Sequence, residues 1–256
     1  MAIPTDISGL QFWFKADTQA FSDAGTTPAT DAQGVEQWND QSGNTRHATS
    51  SVGHKPTLET NELNGLPVMR FNGTNTWFLF TSGITGTVAR TLFAVAKDTA
   101  GAANKAIFEL NNQSGAGAGT AYQLDRSIAV RVSSGSRQMT VTTGTTAFRI
   151  LTCQSAASAN VSAAIIRMDG TILTQTSVTA QSINTGATGA AIGHSESTAT
   201  YWTGDIAEVF GFNAELSTLE IQRMEWYLAD RYAISGPTDP DAGDLSPFHT
   251  MSYRVF

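Results

Sequence analysis

The stretch that decides the fold is Thr203-Gly-Asp-Ile-Ala-Glu-Val-Phe-Gly-Phe-Asn213, followed shortly by Ser217-Thr-Leu-Glu-Ile-Gln-Arg-Met-Glu-Trp-Tyr-Leu-Ala-Asp-Arg-Tyr232. The first half reads as a long strand carrying Ile206, Val209, Phe210 and Phe212. Gly204 and Gly211, near its ends, signal bulges or close backbone approach. The second half reads as a helix over 218–232. Ser217 and Glu220 make an S-x-x-E capping box, which satisfies orphan N–H groups at the helix start. Ile221, Met224, Leu228 and Tyr232 fall on one stripe, with Tyr227 beside it, so one face is built to pack on a sheet. Arg231 complements the helix dipole, and Gly236-Pro237 is the expected stop.

Outward from this stretch, the chain is a succession of short period-two runs separated by Gly, Asn, Ser and Asp, the grammar of an all-β fold. Leu10, Phe12 and Phe14 alternate with Gln11 and Lys15. Ile128, Val130 and Val132 alternate with Ala129 and Arg131. Residues 90–97 and 105–110 are apolar on both sides, as in buried strands. Asp169-Gly170 separates two strand-like runs as a two-residue hairpin turn. Residues 113–119, rich in Gly, Ala and Ser, read as a loop. The predicted architecture is a two-sheet antiparallel sandwich closed by one C-terminal α-helix, over residues 1–234.

Composition narrows the function. Charged residues are 14% of the chain, against roughly 25% in an average soluble domain. A surface so weakly charged suits neutral ligands such as sugars, or packing against other protein. The net charge of −7 argues against nucleic-acid binding, which needs a basic face to displace counterions. Cys153 is the one cysteine; it lies in an apolar run and reads as a small buried hydrophobe. The N-terminus has no secretory-signal pattern, and no apolar run is long enough to span a bilayer.

Several segments together resemble the laminin-G-like (concanavalin A-like lectin) jelly-roll superfamily. At the front these are Gly9-Leu-Gln-Phe-Trp-Phe-Lys-Ala-Asp17, Val35-Glu-Gln-Trp-Asn-Asp-Gln-Ser-Gly-Asn44, Lys55-Pro-Thr57 and Asn64-Gly-Leu-Pro-Val-Met-Arg-Phe-Asn-Gly73. At the back they are 202–209 and the helix 220–232. The resemblance covers about residues 7–234; in the middle, about 98–200, only the strand-like texture matches. It implies two face-to-face antiparallel sheets and no particular activity, because the superfamily holds lectins, glycanases, adhesion modules and virion parts. It also implies the possibility of a calcium ion at the rim, with no ligand residue carried over. In their ordinary structural reading Trp38 is a core anchor, and Asp40, Ser42, Gly43 and Asn44 build a tight turn.

Catalytic constellations are sparse. Asp205 and Glu208 are the nearest thing to a glycanase carboxylate pair, but three residues apart on a regular strand they point to opposite faces. Glu208 is expected to be paired or hydrogen-bonded at the sheet's edge. Gly193-His-Ser-Glu-Ser197 approaches a nucleophile elbow yet lacks the last Gly and the following helix. Gly115-Ala-Gly-Ala-Gly119 has no nucleotide-loop spacing. His47, His54, His194 and His249 show no zinc-ligand spacing. Asp239, Asp241 and Asp244 miss the register of a calcium loop. The expectation is a protein that is not an enzyme and holds no cofactor or metal.

For ligand binding, Trp77 beside the Asn72–Asn75 turn and Tyr122 beside the glycine-rich loop are the candidate platforms; the alternative for Trp77 is packing within the sandwich. Residues 235–256 change character. A polar linker leads to Leu245-Ser-Pro-Phe-His-Thr-Met-Ser-Tyr-Arg-Val-Phe256, whose Phe248, Tyr253 and Phe256 either fold back or dock on another subunit. The first functional expectation is a bacteriophage virion structural protein, a capsid decoration or tail-surface component at the virion surface. Its partners would be other virion proteins, reached through this tail. The alternative is a carbohydrate-binding adhesin for surface glycans, and a glycoside hydrolase comes third.

Overall fold

In the computed structural model the described residues are 1–99, 105–110, 121–124, 127–132, 135–140, 147–174, 177–186, 189–195 and 200–242, with backbone alone over 121–140 and at 177. Tyr122 therefore has no described side chain, and Phe248, Tyr253 and Phe256 lie outside the described residues.

Strand Thr203–Phe212 holds the first sheet together. One edge pairs antiparallel with Arg90–Asp98; the other is shared by Leu66–Asn72 along residues 203–206 and by Leu10–Lys15 along 208–212. The front and back segments thus meet side by side. Arg149–Ser155, Ile165–Met168 and Thr171–Ile172 extend this sheet beyond Arg90–Asp98, and Thr57–Leu63 and Gln33–Gly34 extend it on the far side. The second large sheet runs from Ser177–Thr179 through Ala106–Glu109, Ala190–Ile192 and Phe78–Phe80 to Ala20–Phe21. The fold is an all-β antiparallel sandwich with one C-terminal helix.

Alternation along the strands separates two apolar layers. Between the sheets lie Phe12, Phe14, Trp38, Phe71, Phe78, Phe80, Phe108, Ile206 and Val209. Their rings interlock edge to face, Phe12–Phe80 at 5.0 Å and Phe14–Phe80 at 5.2 Å between centroids, the arrangement that ring quadrupoles favour. Cys153 belongs to this layer, and burial pushes its thiol up to about 12. On the outer face Trp13, Phe93, Val95, Phe210 and Phe212 meet Ile221, Met224, Tyr227, Leu228 and Tyr232 of the helix. Each large side chain buried there contributes about 1.5–3 kcal/mol. This cover is why Arg90–Asp98 is apolar on both faces.

Local features agree with their residues. Asp40, 7% exposed, accepts from the backbone N–H groups of Trp13, Ser42 and Arg46, and so fixes the turn that carries Gly43. Asp169 and Gly170 both take positive φ between Met168 and Thr171, which pair across the hairpin. A Cβ on Gly204 would stand 2.1 Å from the Lys97 carbonyl oxygen, and one on Gly211 2.6 Å from the Phe12 ring. The backbones approach closely at both, as expected.

The helix, Thr218–Tyr232, carries its capping box: Ser217 Oγ accepts from Glu220 N, and the Glu220 carboxylate accepts from Ser217 N. Its stop differs from the sequence expectation. The chain leaves the helix through Ala233 in the left-handed region, φ 53°, before Gly236-Pro237 is reached. A Cβ there costs about 1–2 kcal/mol, partly offset in a glycine by unfolded-state entropy. Ala233→Gly is expected to raise the unfolding free energy by about 0.5–1 kcal/mol, read from the urea midpoint.

Candidate ligand-binding site

Trp77 sits at the end of the Asn72–Asn75 turn. Asn72 Oδ1 accepts from Thr74 N and Asn75 N, and Thr76 Oγ1 accepts from Asn72 N. The turn delivers Trp77 N to the carbonyl oxygen of His54 at 3.0 Å. His54 Nδ1 lies 2.7 Å from the Asn75 carbonyl oxygen. A carbonyl only accepts, so this nitrogen carries the proton.

From the opposite side of the sequence, the short hairpin of His194–Ser195 and Thr200–Tyr201 brings His194 and Tyr201 across from each other. Trp202 anchors it, fully buried between the sheets, while its neighbours Tyr201 and Thr203 remain partly exposed. Thr203 pairs with Asn72 and accepts a hydrogen bond from Lys105 Nζ. The rim is therefore tied together from several segments far apart in the chain.

The result is a stack of four rings. Trp77 lies 3.8 Å from His54, 5.3 Å from His194 and 5.5 Å from Tyr201; His194 and Tyr201 stack at 4.6 Å. All four interplanar angles are 36° or less. The Trp77 indole shares its faces with protein rings and is neither a bare platform nor a core residue. Among the described residues its Nε1–H, the Tyr201 hydroxyl, His54 Nε2 and the Thr74 hydroxyl have no hydrogen-bond partner, and the four residues are at least partly exposed. Burial holds His194 below its ordinary value and therefore neutral at neutral pH; its Nδ1 is buried without a partner. Trp77 alone was singled out in the sequence. The turn at Asn72–Asn75 was the signal for it; nothing local marks His54, His194 or Tyr201.

The carboxylate pair behaves differently from its sequence reading. Ile206 faces Ala96 and Glu208 faces Val95, so Ala207 is an extra residue, a bulge. It turns Asp205 and Glu208 onto the same outer face, where a regular strand would have split them. Glu208 is also in the middle of the sheet, beneath the helix, and not at an edge. Both acids are fully buried and engaged. Asp205 accepts from Arg70 at 2.7 Å and Lys97 at 2.8 Å. Glu208 accepts from Trp13 Nε1 at 2.6 Å, Tyr227 at 3.0 Å and Tyr232 at 2.9 Å. Neither is open to a substrate.

Of the other candidates, Ser195 is fully buried in its short strand. Asp241 pairs with Arg223 and accepts at 2.9 Å, and Asp239 Oδ1 accepts from Asp241 N; Asp244 lies outside the described residues. Among the described residues no three His, Cys, Asp or Glu side chains gather as a metal site would require, and no helix is long and apolar enough to cross a membrane.

No family model and no curated protein matches the chain. Solved structures do match its fold. Domain 4 of AbnA, a GH43 extracellular arabinanase from Geobacillus stearothermophilus, in complex with arabinotriose, is similar at TM-score 0.59 and 11% identity, over 83% of this chain and 96% of that one. Trypanosoma rangeli sialidase in complex with sialic acid is similar at TM-score 0.55 and 13% identity, over 90% of this chain and 34% of that one. The binding domain of Botulinum neurotoxin DC, in complex with rat synaptotagmin II, is similar at TM-score 0.54 and 10% identity, over 88% and 52%. At these identities the likeness establishes the antiparallel β-sandwich fold alone. The chain spans nearly all of the arabinanase domain, about half of the neurotoxin domain and a third of the sialidase.

Proposed function

We propose that this protein is a non-catalytic lectin-like module that binds a neutral glycan at the aromatic rim around Trp77. The observation that carries the reading is the half-exposed ring stack with four polar tips left free. The exposed edges of the stacked rings offer apolar surface to a sugar, and the unused N–H, imidazole and hydroxyl groups meet its hydroxyls. The low charge of the chain and the arabinotriose complex of a domain of similar fold, 96% of which this chain covers, support it. The engagement of Asp205 and Glu208 inside the protein supports the absence of catalysis.

A broad glycan panel at high protein concentration tests the proposal, with Trp77→Ala as the variant. A glycan is expected to bind, and Trp77→Ala to weaken it at least about tenfold with an unchanged circular-dichroism spectrum. Silence across the panel, or full binding by the variant, overturns it.

A second reading is favoured by the aromatic end with Phe248, Tyr253 and Phe256: a structural protein of a virion surface, docked on other virion proteins. Co-purification with intact particles supports that reading, and its loss on truncation after residue 242 locates the contact.

A further inference from the structure

On the far side of the molecule from the inter-sheet core, a cavity of about 300 Å³ lies between the helix, the Asp169–Gly170 turn and the loop that follows the helix. Its floor is an ion pair. Arg167 donates through Nε to Glu225 Oε1 at 2.8 Å and through Nη2 to Oε2 at 2.9 Å, and the same Nη2 reaches the Gly170 carbonyl oxygen. Arg167 is 9% exposed and Glu225 1%. Arg167 lines the cavity, and among the described residues its Nη1 has no hydrogen-bond partner.

Around this floor stand Gln222, Thr171 and Thr238, all exposed, whose side chains make no hydrogen bond among the described residues. Pro237 and Pro240 supply apolar surface. Arg167 and Glu225 cancel each other's charge, and Asp169 is paired with Arg149 at 2.9 Å. What remains is a set of donors and acceptors without net charge, one donor held on a buried guanidinium. Such a lining matches hydroxyl groups and offers an anion no unpaired counter-charge.

We propose that this cavity is a second ligand site, which takes one neutral polyhydroxylated unit, a single sugar ring or a cyclic polyol. The volume is at the small end of ligand pockets, fit for one ring and not for an oligosaccharide. The proposal stands independently of the aromatic rim.

Ligand-observed saturation-transfer NMR and calorimetry on the full chain test it, with glucose, galactose, arabinose and inositol as probes and glucose 6-phosphate as the charged control. At least one neutral probe is expected to bind in the millimolar range. Gln222→Ala should weaken it about tenfold, the worth of one such hydrogen bond, and Thr238→Trp should block it by filling the cavity. Trp77→Ala should leave it unchanged. Both cavity positions are exposed, so the variants keep the fold, which circular dichroism verifies. The proposal fails if no neutral probe binds, if Thr238→Trp leaves binding intact, if Trp77→Ala removes it, or if glucose 6-phosphate binds more tightly than glucose.

Discussion

Glu208→Ala is expected to lower the unfolding free energy by about 3–5 kcal/mol, the usual cost of removing one partner from a buried charged network. The carboxylate is fully buried. It accepts from Trp13, Tyr227 and Tyr232 and lies 3.5 Å from Arg231 Nε. Alanine leaves the Trp13, Tyr227 and Tyr232 donors facing a cavity, each without water or partner, while Arg231 keeps its ion pair with Asp17. The loss should appear as a lower urea midpoint with an unchanged slope. A cost below about 1 kcal/mol would mean that the helix does not seal this network in solution.

The same residue gives the protein a pH signature. Burial raises the Glu208 carboxyl from 4.5 to about 7, against the hydrogen bonds from Trp13, Tyr232 and Tyr227, which lower it. The folded state therefore binds this proton more tightly than the unfolded chain does. The contribution to stability is full below about 4.5 and is lost as pH rises through about 7. At about 1.4 kcal/mol per unit, the swing is roughly 3 kcal/mol. Glu208→Gln retains an acceptor for Trp13 and Tyr227 and cannot titrate. Its stability should be flatter than that of the natural protein between about pH 5 and pH 8, and a slope unchanged by the substitution would assign the dependence to another group.

Glu225→Ala is the second substitution with a large expected effect, again about 3–5 kcal/mol. It strips the carboxylate from the Arg167 guanidinium and from the Thr152 hydroxyl, which donates to Glu225 Oε1 at 2.8 Å. The helix is then pinned over a buried cation with no counter-charge. Replacing both partners by apolar residues of similar size, Arg167→Met with Glu225→Leu, should recover most of the loss, because the cost lies in the orphaned charge more than in the missing bond. Chemical denaturation of Arg167→Met, Glu225→Leu and the double variant closes the cycle. A double variant as unstable as Glu225→Ala would place the cost in packing instead.

How much of this was legible follows from what is local. The helix was legible because its cap, its stripe and its length are written within sixteen consecutive residues, and the Asp169-Gly170 hairpin because both residues tolerate positive φ. The helix ends at Tyr232 as its stripe predicts; only the stop residue differs, since Ala233 takes the left-handed conformation three residues before Gly236. The Asp205–Glu208 geometry was misread. No Gly, Pro or Asn marks Ala207 as an extra residue. The bulge arises where Thr203–Phe212 passes from Leu66–Asn72 to Leu10–Lys15 along one edge.

The candidate site divides in the same way. Trp77 could be singled out because an Asx turn precedes it, whereas His54, His194 and Tyr201 each look ordinary in their own segments. By itself the sequence determined the strands, the helix, the buried cysteine and the weakly charged surface, since periodicity and composition act over a few residues. The tertiary structure alone decided which four rings stack and which face Glu208 takes. Both depend on the register between strands remote in the chain, and a slip of one residue in that register reverses every side chain.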